Sequence, residues 1–152
     1  MKGAAPTLRA QMQVVRSFRS HPSALFEIRR FIRQLADEAR LPPQAATDLL
    51  IAVSEACANS MLHTSSRTIR VAWTLHDDRA EVVVRDEGVF RRRVRMPEVE
   101  GAGGHGIPLM TALVDEIAIL EGTEQEPGTQ VRLVKRRRAR PVDARPPSAA
   151  GA

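Results

Sequence analysis

Between residues 23 and 39 apolar side chains recur as Leu25, Ile28, Phe31, Ile32, Leu35 and Ala39, the spacing of an amphipathic helix. Arg29, Arg30 and Arg33 fall on its wet face, and Pro22 suits a first turn. Leu41-Pro42-Pro43 ends that helix. The pattern predicts a second one over residues 43–63, with Leu50, Val53, Cys57 and Met61 on a packing stripe and Asp48, Glu55, Asn59 and His63 on the opposite side. Strand-forming runs surround this pair. Residues 11–20 predict a first strand, and residues 67–75 and 80–85 predict a hairpin across His76-Asp77-Asp78-Arg79. Residues 116–121 and 129–135 predict two more strands, joined by a turn at Pro127-Gly128. Gly104-His105-Gly106-Ile107-Pro108 opens a short helix ending near Val114, and residues 89–103 carry no period.

The resulting order predicts a two-layer α/β sandwich: a mostly antiparallel five-stranded sheet with two long helices and a short third on one face. A chain of 152 residues, 43% hydrophobic, suffices for one such domain. The expected division is an N-terminal extension (1–9), a folded domain (10–135) and a basic, Pro/Ala-rich disordered tail (136–152).

The charge sharpens this division. The formal net charge is +5. Lys135, Arg136, Arg137, Arg138, Arg140 and Arg145, opposed after residue 134 only by Asp143, account for the whole excess. The body is thus neutral, and with 3% aromatics and no Tyr it is poorly supplied to stack nucleic-acid bases. Specific nucleic-acid binding is not expected. The one cysteine, Cys57, excludes disulfide frameworks and cysteine-rich zinc sites. No apolar run approaches membrane-spanning length, so a cytoplasmic protein without membrane contact is expected.

Four features bear on chemistry. Glu55-x-x-x-Asn59-x-x-x-His63 makes a polar line on the second helix. Such lines are usually solvated faces, but Asn59, Ser60 and Thr64 are mediocre helix formers where propensity would choose otherwise. Asn59 can offer a neutral oxygen to Mg²⁺, and Glu55 can accept a proton from a hydroxyl. His63 suits the helix C-terminus, where a cation is favoured. Asp86-x-Gly88 closes a strand and reads either as an ordinary turn or as a carboxylate that accepts the exocyclic amine of adenine. Gly101-Ala102-Gly103-Gly104-His105-Gly106 precedes an apolar helix and suits phosphate, or serves as a lid hinge. Gly128-Thr129 enters the last strand and is, alone, a plain turn.

In this order the four features resemble the ATP-binding family that includes gyrase, Hsp90, histidine kinases and MutL, and within it the anti-sigma-factor serine kinases. Glu55, Asn59 and His63 are similar to its N-box, Asp86 and Gly88 to the first glycine box, Gly104-His105-Gly106-Ile107-x-Leu109 to the second, and Gly128-Thr129 to the closing pair. The resemblance spans about residues 10–135. It implies Mg²⁺-ATP held between helices and sheet, with Asn59 on the metal, Asp86 and Thr129 on adenine, and Gly103, Gly104, His105, Gly106 and Ile107 around the phosphates. His63 would join the nucleotide-binding set, and Glu55 would be the catalytic base. The implied activity is phosphorylation of an anti-anti-sigma (STAS-type) partner by a homodimer that sequesters a sigma factor. Phe90 replaces the second glycine of the first box, and Ala102 stands where kinases tend to carry an arginine. A non-catalytic module using nucleotide as a conformational clamp is the alternative.

Overall fold

The computed structural model describes residues 12–64, 66–87, 106–123, 125 and 127–138. In chain order these form β1 (Met12–Arg19), a 3₁₀ turn (Pro22–Ala24), α1 (Leu25–Glu38), α2 (Pro43–His63), β2 (Thr68–Leu75), β3 (Arg79–Asp86), α3 (Gly106–Leu113), β4 (Glu116–Leu120) and β5 (Thr129–Arg136). The strands lie in the order β1-β2-β3-β5-β4. Every pairing is antiparallel, so the expected sheet is correct and entirely rather than mostly antiparallel.

Alternation sets which face packs. Ile69, Val71, Trp73 and Leu75 of β2 are buried, as are Ala80, Val82 and Val84 of β3. The register places Val71 opposite Val84 and Trp73 opposite Val82, so the two rows merge into one apolar surface. Onto it pack Ile28, Ile32 and Leu35 of α1 and Leu49, Val53 and Cys57 of α2.

Helix α2 spans the expected residues, but its packed face is turned. Leu49, Ala52, Val53, Ala56, Cys57 and Ser60 are buried, whereas Leu50 and Met61 are only half-buried. Alanine at 52 and 56 leaves room for the helix backbone to approach the sheet, and the longer side chains flank the contact. Asn59 and His63 consequently border the packed stripe instead of facing water.

The link between α1 and α2 is made by backbone geometry. Arg40 adopts the left-handed φ of 55°. Its N–H donates to the Asp37 carbonyl at 3.0 Å, and the Leu41 N–H reaches the Ala36 carbonyl at 3.0 Å. This is the paired Schellman closure, with Leu41 buried beside it. Arg137 adds a bond from Nη2 to the Ala39 carbonyl at 2.7 Å, while its N–H donates to Asp78 at 2.9 Å. Arg136 and Arg137, expected in the tail, are thus part of the fold: Arg136 is in β5 and Arg137 holds two parts of it together.

On the sheet face away from the helices, Glu81 bonds Arg132, and its other oxygen lies 3.3 Å from His76 Nε2. Burial alone would raise the Glu81 carboxyl, but the Arg132 bond and charge, together with His76, hold it below the usual carboxylate range. A depressed carboxyl stabilises the fold at neutral pH, and that contribution is lost as pH falls through the lowered value. Glu81→Gln should thus be less stable than wild type near pH 7, with the gap closing in denaturant titrations as the pH falls through the lowered carboxyl value. A pH-independent gap would contradict this assignment. For the core, Leu49→Ala should cost about 2–5 kcal/mol, whereas Leu62→Ala, on the exposed side of α2, should stay within about 0.5 kcal/mol by the same measurement.

Candidate functional site

Asp86 is the last residue of β3 and lies directly opposite Thr129, the first of β5. It faces the helices and is 2% exposed. A carboxylate placed there must be hydrogen-bonded to be tolerated. Ser60 of α2 donates its hydroxyl to Asp86 Oδ2 at 2.6 Å, and the Thr129 N–H points to Oδ1 at 3.4 Å. One carboxylate thereby joins α2, β3 and β5.

The turn before Thr129 is built to permit this approach. Gly128 has φ of +138°, and a Cβ there would lie 2.8 Å from the Asp86 carbonyl oxygen. Only glycine fits both the backbone angle and the space.

Asp86 lies on the wall of a cavity of about 350 Å³. Helix α2 contributes Ala56, Asn59, Ser60 and His63; α3 contributes Ile107 and Met110; the sheet adds Val84, Ile119, Thr129 and Val131. The exposed wall is largely apolar; besides Asp86, Ser60 and Thr129, its polar residues are Asn59, His63, Thr64 and Glu121. Thr129 Oγ1 is buried there without a hydrogen-bond partner. A buried polar atom left unsatisfied costs about 1–3 kcal/mol, and a ligand that bonds it removes that cost. Volume and lining match a site for a flat organic group with a polar edge.

Asn59, His63, Asp86, Ile107 and Thr129 thus come together on one cavity. Glu55, one turn before Asn59, is half-buried and does not line it. Gly106 is the first residue of α3. Gly88, Gly103, Gly104 and His105 lie outside the described residues, as do Phe90, Ala102 and the expected loop 89–103. Ser60 was missed by motif reading. Its signal is a hydroxyl on the packed stripe, one turn after Ala56, where a polar group needs a buried partner.

Among the described residues no three His, Cys, Asp or Glu side chains gather to hold a metal, and no helix is long and apolar enough to cross a membrane. Asn59 lines the cavity with a neutral side-chain amide, whose oxygen suits an ion that arrives with phosphate oxygens of its own. Burial pushes the Cys57 thiol up to about 12, so it is inert in the core.

The model of the histidine kinase-like ATPase domain family matches residues 18–135. No curated protein sequence matches the chain. Among solved structures, the crystal structure of the RsbU and RsbW domains of Rv1364c from Mycobacterium tuberculosis superposes with a TM-score of 0.63 at 22% identity. That similarity covers 82% of this chain and 32% of the other, so the chain spans about a third of that protein.

Ser60→Ala should destabilise the protein by about 1–3 kcal/mol in denaturant titration, because Asp86 loses its hydroxyl donor inside the core. Gly128→Ala should also destabilise, by more than about 1 kcal/mol, through its strained angle and the clash with Asp86.

Proposed function

The chain belongs to the histidine kinase-like ATPase domain family, and on that premise we propose that it is an ATP-binding regulatory protein whose cavity takes the adenine ring. The observation that carries this reading is the buried, partnerless Thr129 hydroxyl beside the Asp86 carboxylate on an apolar wall. The carboxylate, oriented by Ser60, accepts the exocyclic amine, and the Thr129 hydroxyl bonds a neighbouring ring nitrogen. Val84, Met110 and Val131 supply apolar surface for the ring faces. Asn59 and His63, one turn apart on α2 with Ser60 between them, line the same cavity, which suits a ribose and phosphates lying against the helix. Asn59 would hold Mg²⁺, which when bound offsets the charge of the phosphates. Gly88, Gly103, Gly104, His105, Gly106 and Ile107 complete the nucleotide site in this reading.

In its catalytic form the protein is a cytoplasmic serine kinase. Glu55 takes the proton from a partner's serine hydroxyl, the serine oxygen bonds the γ-phosphorus, and the bond to the departing ADP oxygen breaks. The partner is a STAS-type anti-anti-sigma protein, and a homodimer of this chain sequesters a sigma factor. The similarity to a structure containing an RsbW domain supports this reading. One observation favours the non-catalytic clamp instead: Glu55 is one turn removed from Asn59 and off the cavity wall.

Titration with Mg²⁺-ATP under thermal denaturation tests the nucleotide site. Ligand at 100 times its Kd should add about 2.7 kcal/mol of stability. Asn59→Ala should abolish that gain, and no gain in wild type at millimolar nucleotide would end the proposal. Glu55→Ala should retain binding and lose about 10²- to 10⁴-fold in phosphoryl transfer. Full transfer in that variant would remove Glu55 as the base, and binding without transfer in wild type would establish the clamp.

A further inference from the structure

We propose that Lys135 is a positioning residue for the nucleotide site, acting at a distance through α3. The inference rests on the nucleotide reading of the cavity. Helix α3 has eight residues, too few to be stable alone, yet it supplies Ile107 and Met110 to the cavity wall. Its conformation must therefore be imposed from outside.

Lys135 imposes it at the far end. Its Nζ donates to the Leu113 carbonyl, the last of α3, at 2.7 Å and lies 3.1 Å from Asp48 Oδ2 of α2. Asp48 is itself oriented from the other side by Gln44 Nε2 at 2.8 Å. Both members of the ion pair are largely buried, with 17% and 18% of their side chains exposed. A cation at this place satisfies an orphan terminal carbonyl and complements the negative end of the helix. The chain just beyond α3 is stitched to the same strand, through Asp115 N–H to the Val134 carbonyl at 2.8 Å and Arg136 N–H to Asp115 Oδ2 at 2.7 Å.

Lys135 thus fixes the separation of the two helices that face each other across the cavity. It does so from the sheet, without touching the cavity. Loss of the ammonium leaves the Leu113 carbonyl without this donor and the Asp48 carboxylate with Gln44 but no cation, and α3 is free to shift against α2. By reciprocity, nucleotide between the helices stabilises the Lys135 junction as the junction stabilises binding.

The test compares full-length wild type, Lys135→Met, Lys135→Arg and Asp48→Asn. Mg²⁺-ATP and Mg²⁺-ADP affinities are measured by calorimetry, and amide hydrogen exchange is measured over residues 106–113 and over β2 and β3. The Met variant should bind both nucleotides about 10- to 100-fold more weakly, with faster exchange in α3 and unchanged exchange in β2 and β3. Lys135→Arg should restore most of the affinity, and Asp48→Asn should weaken it to a smaller degree. If the Met variant fails to fold, Asp48→Asn and Lys135→Arg carry the same comparison. Wild-type affinity in Lys135→Met and Asp48→Asn, with wild type itself binding, would overturn the inference and leave the nucleotide site standing. Absence of binding in wild type would overturn both.

Discussion

A carboxylate buried at the end of a strand is the constraint around which this domain is arranged. Asp86 cannot leave water unless donors replace it, and those donors come from positions 26 residues before it and 43 residues after it. Ser60 must face inward, which sets the rotation of α2. Thr129 must begin β5 directly opposite, which sets the register of the central strand pair. Gly128 must then be glycine, because the chain turns against the Asp86 carbonyl with no room for a side chain. An apolar residue at 86 would pack more simply, so under the proposed reading the polar junction trades stability for recognition.

The end of β5 plays the converse role. Lys135 and Arg137 each donate to a carbonyl at the C-terminal end of a helix, Leu113 for α3 and Ala39 for α1. Helix C-termini carry unpaired carbonyls and partial negative charge, and cations in β5 and just beyond it answer both. This changes the meaning of the basic excess after residue 134. Part of it is structural charge at the helix ends. A count along the sequence cannot distinguish the two, since a run of basic residues looks alike whether it ends a strand or enters water.

Element boundaries were legible because periodicity and breakers agreed. The i, i+3, i+4 pattern from Leu25 to Leu35 and the prolines at 42 and 43 bracket the helices closely. The rotation of α2 was not legible. Leu50, Ile51, Leu62 and Met61 spread bulky apolar groups around the helix, and small residues at 52 and 56 decide the approach in their place. Asp86, Asn59, His63 and Thr129 could be singled out as types in an order, and they do meet at one cavity. Ser60 could not, because its significance lies in a partner 26 residues away. Arg40 is hidden for another reason: a left-handed arginine carries no sequence mark, and only the hydrogen bonds to Asp37 and Ala36 reveal why it is tolerated.

The two sides of the cavity differ in how they are held, and this difference has consequences for any ligand. The sheet side is fixed by ladder hydrogen bonds and by the Asp86 junction, so the polar edge that would read a base is already in place. The α3 side hangs on one short helix whose own hydrogen bonds cannot sustain it. Under the proposed nucleotide reading specificity and affinity are separable: the first would reside in Asp86, Ser60 and Thr129, and the second would depend on how firmly α3 packs against what they select. A regulatory protein benefits from that division, because an effect on α3 alters occupancy without altering what is recognised.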